Sequence, residues 1–104
     1  IEQRLIVILT KEQIQKIMKD FFAEKPVKKV WLFGSYARGE ADENSDVDVL
    51  VELDYTNNPG LSFYGWHTEL AEKTDKSVDV ISEGGLSKYI RPYIEKDKQL
   101  IYEK

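Results

Sequence analysis

The sequence predicts an α/β fold of the α+β kind, in which a small mixed β-sheet carries helices packed mainly on one face. Three observations predict it. Short runs of strand formers recur around Val30-Trp31-Leu32-Phe33, Val47-Asp48-Val49-Leu50-Val51 and Val78-Asp79-Val80-Ile81. Stretches with apolar residues at helical intervals lie before the first run and between the second and third. Glycine, proline and asparagine punctuate the boundaries. At 104 residues the chain has room for one small domain with one core, so residues 1–104 are expected to form a single domain. A hydrophobic content of 41% and an aromatic content of 12% suffice to fill such a core.

The first helix is expected over about residues 11–24. Thr10-Lys11-Glu12-Gln13 has the spacing of a capping box, Ile14, Ile17, Met18, Phe21 and Phe22 follow on one face, and Pro26 ends the pattern. A strand near 28–33 comes next, with Trp31 expected in the core. It stops at Gly34-Ser35, ahead of a segment able to begin a helix. A second strand is expected at 47–53. Asn57-Asn58-Pro59-Gly60 forms a turn cluster, after which Phe63, Trp66, Leu70 and Ala71 mark a second amphipathic helix ending near Thr74. A third strand spans about 77–81. Beyond the Gly84-Gly85 hinge, Ser87 to Arg91 reads as a turn because Pro92 suits only a helix start. A short helix over Pro92 to Lys96 and the apolar pair Leu100-Ile101 complete the chain.

The chemistry is concentrated in residues 34–51. At a strand–turn–helix junction, free backbone N–H groups and the positive end of the helix dipole converge, and glycine lets an anion approach the backbone. Gly34 and Ser35 occupy such a junction, with the Ser35 hydroxyl as a further donor. A Gly-Ser pair alone is mostly an ordinary turn. The following strand adds specificity, because its side chains alternate faces. Val47, Val49, Val51 and Leu53 point one way; Asp46 and Asp48 point the other. Two neighbouring carboxylates repel and are costly to desolvate unless a cation lies between them. Hard oxygen ligands of this kind suit Mg2+ or Mn2+, and magnesium is usually held by one or two carboxylates together with substrate phosphates.

Asp79 is a third carboxylate in a strand-like run, where an exposed residue or a turn start is the plain alternative. If its strand lies beside that of Asp46 and Asp48, the three complete a triad. Two metal ions roughly 3.5–4 Å apart could then be bridged by Asp46 and Asp48, with Asp79 on the ion that activates an attacking hydroxyl.

The GSYARG run, the ten residues separating Ser35 from Asp46, the Asp46-Val47-Asp48 pair and the later Val78-Asp79-Val80 resemble the minimal nucleotidyltransferases of the DNA polymerase beta superfamily. More closely, the chain resembles the MntA-type antitoxins encoded beside HEPN-domain ribonuclease toxins. The resemblance extends over essentially the whole chain. It implies a polymerase beta-like nucleotidyltransferase fold and a magnesium-dependent transfer of AMP from ATP. The implied acceptor is a hydroxyl, a tyrosine of the HEPN toxin, and the transfer silences that partner. The implied catalytic and metal-binding residues are Asp46, Asp48 and Asp79. Gly34 and Ser35 grip the outer phosphates. Arg38 suits two roles equally, touching phosphate or bracing the loop through a carboxylate. Larger members of the superfamily carry an additional domain for the acceptor, which a chain of this length is not expected to contain. Two other readings stay open: a binding-only antitoxin that sequesters its toxin, and a small-molecule transferase of the aminoglycoside-modifying type, which a homo-oligomer would have to complete.

Composition excludes other classes. A net charge of −4 argues against a broad nucleic-acid-binding surface, which needs clustered lysine and arginine. No apolar run is long enough to span a membrane, and Ile1-Glu2-Gln3-Arg4 lacks a signal-peptide pattern. The absence of cysteine removes thiolate metal sites and is compatible with the cytoplasm as the expected location. Glu40, Asp42 and Glu43 read as a solvated loop rather than ligands. His67, on the second amphipathic helix without a nucleophile beside it, reads as a surface or boundary residue. Lys88, Tyr89 and Arg91, after the Gly84-Gly85 hinge, could contact nucleotide or a partner, but basic and aromatic surface residues are commonplace and the surface reading is preferred.

Overall fold

The structure is a computed structural model that describes residues 9–57 and 59–104. The start of the chain at residues 1–4 and Asn58 of the turn cluster lie outside the described residues. Helix α1 covers Lys11–Phe22, strand β1 Val27–Phe33, the one-turn helix α2 Gly34–Arg38 and strand β2 Val47–Leu53. Helix α3 (Trp66–Thr74), strand β3 (Val78–Ser82), helix α4 (Arg91–Asp97) and strand β4 (Gln99–Glu103) follow, with short 3-10 turns at Tyr55–Asn57, Gly60–Gly65 and Glu83–Gly85.

The four strands form one mixed sheet in the order β3-β2-β1-β4. β1 runs antiparallel to both β2 and β4, whereas β2 and β3 are parallel. The valine alternation of β2 places Val47, Val49 and Val51 in the core, where they are fully buried. Against them pack Ile14, Met18 and Phe22 of α1, Val30 and Leu32 of β1, Trp66 and Leu70 of α3, and Ile101 of β4. The rings of Phe22 and Phe63 meet Trp66 edge-on at 5.7 and 5.3 Å between centroids. α1 and α3 thus cover one face. α4 lies against the other through Ile94, which is buried, as is Leu50 of β2.

Local chemistry explains the boundaries. Thr10 Oγ1 accepts from the Gln13 N–H at 3.1 Å while Gln13 Oε1 accepts from the Thr10 N–H at 2.7 Å, completing the capping box. α1 stops at Phe22, two residues earlier than expected, because a turn closed by Lys25 N–H to Phe22 O precedes Pro26. The second amphipathic segment is split. Gly60 takes a φ of +61° and the chain runs as a 3-10 turn to Gly65, so Phe63 lies ahead of α3 rather than within it. α3 ends at Asp75, in the left-handed region with φ 54°.

Two expectations are corrected. The pair Leu100-Ile101 belongs to a full strand, β4, which buries only Ile101 and so lacks the alternation that would announce it. Trp31 is only partly buried. It pairs with Leu50 and therefore lies on the face opposite the main core, with Lys98 Nζ 4.6 Å from its ring. His67 is exposed, as its surface reading requires. Among the described residues, no helix is long and apolar enough to cross a membrane.

Candidate active site

The strand register builds the site. In the parallel β2/β3 pair, Asp48 stands directly opposite Asp79, and Val47 opposite Val78. Val47 N–H also donates to Ser77 O at 2.9 Å, which fixes the alignment just where β2 begins. The two valines enter the core, so the two aspartates emerge together on the other face. Asp46, immediately before β2, and Asp79 are exposed, whereas Asp48 is half-buried.

Asp48 bears the electrostatic cost of this arrangement. Its pKa is raised from 3.8 to about 6, first by burial, then by the charge of Asp79, by a hydrogen bond with the Asp79 carboxyl, and by the charge of Asp46; Arg38 acts in the opposite direction. Two ionised carboxylates cannot hydrogen-bond to each other, so the Asp48–Asp79 contact needs a shared proton or a cation.

Gly34 begins α2 at φ +74°, and its Cα comes so close to Asp48 that a Cβ there would lie 2.3 Å from Asp48 Oδ2. The backbone conformation favours glycine at this position, and a Cβ there would displace the Asp48 carboxylate. No side chain caps the first turn of α2, and Gly39, with φ +75°, closes the helix after Arg38.

Gly34, Ser35, Arg38, Asp46 and Asp48 line one cleft of about 480 Å³. Asp79 touches Asp48 but does not line that cleft. The rest of the lining includes residues without a motif: Ile81 of β3 and Ile90, Tyr93, Ile94 and Asp97 of α4 and its approach. Their spacing of i, i+3, i+4 and i+7 is a helical stripe, a signal interrupted in the sequence by Pro92. Asp97 is the residue that sequence reasoning missed most consequentially. Its Oδ2 accepts from Arg38 Nη1 at 2.7 Å, while Glu40 Oε2 accepts from Arg38 Nε at 2.9 Å. Arg38 therefore braces the loop to α4.

The acidic loop serves structure. Asp42 Oδ1 accepts from the Asn44 N–H at 2.9 Å and from Ser45 Oγ at 3.2 Å, and the Glu43 carbonyl accepts from Lys76 Nζ at 3.1 Å. Glu40, Asp42 and Glu43 are exposed, and none lines the cleft. Arg91 pairs with Glu83 at 2.5 Å and Glu95 at 3.6 Å, and Lys88 lies over the Tyr89 ring at 5.3 Å; all three stand off the cleft.

Comparison with known proteins bears on the family and the fold. The chain is 43% identical to a Methanocaldococcus jannaschii protein named among the protein adenylyltransferases, over 85% of each chain. Among solved structures it is similar to a chain of a toxin-antitoxin crystal structure with AMP-PNP. That likeness has a TM-score of 0.71 and 22% identity, and covers 92% of this chain and 75% of the other. It is also similar to a chain of the structure of a tri-AMPylated Shewanella oneidensis HEPN toxin in complex with MNT antitoxin. Here the TM-score is 0.62 and the identity 18%, over 90% of this chain and 70% of the other. At these identities the two structures show a shared fold. The sequence model of the nucleotidyltransferase domain matches residues 11–101, nearly everything from the first turn of α1 to the buried Ile101 of β4. With a single family spanning both the Gly34-Ser35 turn and the aspartate strands, the chain belongs to the nucleotidyltransferase domain family.

Proposed function

We propose that this chain is a magnesium-dependent protein adenylyltransferase that moves AMP from ATP to a tyrosine hydroxyl of a HEPN-domain toxin, and so acts as its antitoxin. The observation that carries the reading is the Asp48–Asp79 pair, held in strand register beside the Gly34-Ser35 turn. Family membership supports nucleotidyl transfer. The name of the Methanocaldococcus relative supports a protein acceptor, and the AMP-PNP and AMPylated-toxin structures support the nucleotide and the partner.

The donor set fits a divalent cation. Asp46, Asp48 and Asp79 offer hard oxygen atoms, and a cation among them would relieve the repulsion that raises Asp48. Among the described residues, no three acidic, histidine or cysteine side chains form a metal cage on their own. Phosphate oxygens of the substrate would therefore complete the coordination, as is usual for magnesium. When bound there, Mg2+ or Mn2+ supplies charge neutralisation on the leaving pyrophosphate and activation of the attacking hydroxyl.

The chain's own residues do the positioning. The uncapped N–H groups at the start of α2 and the Ser35 hydroxyl are donors for the outer phosphates. The Gly34 Cα approaches Asp48 closely enough to keep phosphate and carboxylate in one cleft. Arg38 adds positive charge to the same wall while Asp97 and Glu40 fix its guanidinium. Incubating the purified chain with magnesium, ATP and its co-encoded HEPN protein tests the proposal by intact mass. The toxin should gain adenylyl groups, and Asp46→Asn and Asp48→Asn should each abolish the gain. Normal transfer by both variants overturns the assignment of the site.

A further inference from the structure

The cleft contains a tyrosine of its own. All six tyrosines of the chain lie among the described residues, and Tyr93 alone lines the cleft with Asp46 and Asp48. Tyr36, although it follows Ser35, is 3% exposed and packed in the core. Tyr55, Tyr64 and Tyr89 are exposed but lie elsewhere, and Tyr102 is on the edge strand. Tyr93 combines the two properties an acceptor needs. It is 75% exposed, and it lines the same cleft as Gly34 and Ser35.

Its helix is anchored there. Ile94 is buried, Arg91 at the helix start is paired with Glu83, and Asp97 at the helix end is paired with Arg38. Tyr93 and Asp97 are four residues apart and so share one stripe of α4. Asp97 contacts the Arg38 guanidinium, so this stripe of α4 brings Tyr93 into the cleft that Arg38 and Ser35 also line. A hydroxyl carried in the same chain beside a bound nucleotide reacts at high effective concentration, without any encounter between molecules.

We infer that the chain adenylylates itself on Tyr93. This rests on the adenylyltransferase reading above. The Tyr93 oxygen attacks the α-phosphorus of ATP, and a phosphorus–oxygen bond forms. The bond from the α-phosphorus to the oxygen bridging the β-phosphate breaks, pyrophosphate departs with that electron pair, and the phenol proton passes to solvent. No oxidant or reductant is needed. The product leaves AMP tethered in the cleft, where it occupies the space of the next nucleotide and lowers turnover toward any external acceptor.

The experiment uses the purified chain with magnesium and ATP, read by intact mass and peptide mapping, alongside the toxin-transfer assay on the same preparation. One adenylyl group on Tyr93 is expected, lost in Tyr93→Phe and in Asp48→Asn and retained in Tyr89→Phe. Toxin labelling without a Tyr93 adduct overturns the inference and leaves the adenylyltransferase reading standing. Label on another residue likewise overturns it. Labelling of neither protein by a folded chain overturns both.

Discussion

Replacing Asp48 by asparagine should make the metal-free protein more stable at neutral and alkaline pH while destroying its proposed activity. The folded state raises the Asp48 pKa from 3.8 to about 6, so it holds that proton more tightly than the unfolded chain does. The contribution is fully present below about pH 4 and is lost as pH rises through about 6. At 1.36 kcal/mol per pH unit, the gap sets a ceiling of about 3 kcal/mol. Asp48 is only half-buried, and solvent screening reduces this to about 1–1.5 kcal/mol. Asparagine keeps the shape and removes the charge, so Asp48→Asn should exceed wild type by that amount at pH 8 and match it at pH 4. In a domain of this size, about 1 kcal/mol corresponds to about 4–8 °C in midpoint. Urea unfolding in EDTA, followed by the fluorescence of buried Trp66 and half-buried Trp31, measures the difference across pH. A variant no more stable than wild type at pH 8, or a gap that does not change with pH, refutes the reasoning.

Saturating magnesium and ATP should reverse that order, stabilising wild type by about 2.7 kcal/mol at a hundredfold excess over Kd and leaving Asp48→Asn unmoved in a thermal scan. Gly34→Ala should cost about 1–2 kcal/mol from the positive φ alone, and more from the 2.3 Å approach to Asp48; its urea midpoint and its loss of the ATP shift check this. Ile94→Ala should cost about 2–3 kcal/mol, because Ile94 is the buried anchor of α4, and should loosen α4 amides in hydrogen exchange more than those of β2. Thr10→Ala should lower stability by about 1 kcal/mol through loss of the capping box, with no change in the ATP shift.

What the sequence discloses depends on how local its cause is. The capping box of α1, the valine alternation of β2 and the turn after β1 are written in neighbouring residues, and the structure places them as read. β4 is hidden because an edge strand that buries only Ile101 needs no alternation. Trp31 misleads because its apolar character does not say which face of β1 it occupies; its pairing with Leu50 decides that. Gly34 is legible as a turn glycine, yet the proximity of the Asp48 carboxylate, which a Cβ there would displace, depends on α2 meeting β2. Asp97 lies 59 residues from Arg38 in the chain, and no local pattern announces their pair.

The aspartate pair persists because the same register that creates it also buries the valines. Side chains alternate along a strand, so sliding β3 by one residue against β2 would separate Asp79 from Asp48 but would turn Val78 out of the core. Val47, Val49, Val51 and Val78 are essentially buried, and each contributes about 1.5–3 kcal/mol relative to exposure. Even one or two of these side chains match the few kcal/mol that set the ceiling on the Asp48 penalty, and the four together exceed it. The carboxylates are thus held against their repulsion by packing on the opposite face of the strands they occupy. Removing that packing should loosen them: Val49→Ala, which touches no charge, should weaken the sheet and lower the Asp48 pKa from about 6 as the carboxyl gains solvent and the pair separates. Carboxyl titration by NMR would follow this directly, and a pKa still near 6 in the variant would show that neither the burial of Asp48 nor its spacing from Asp79 depends on the packing of Val49.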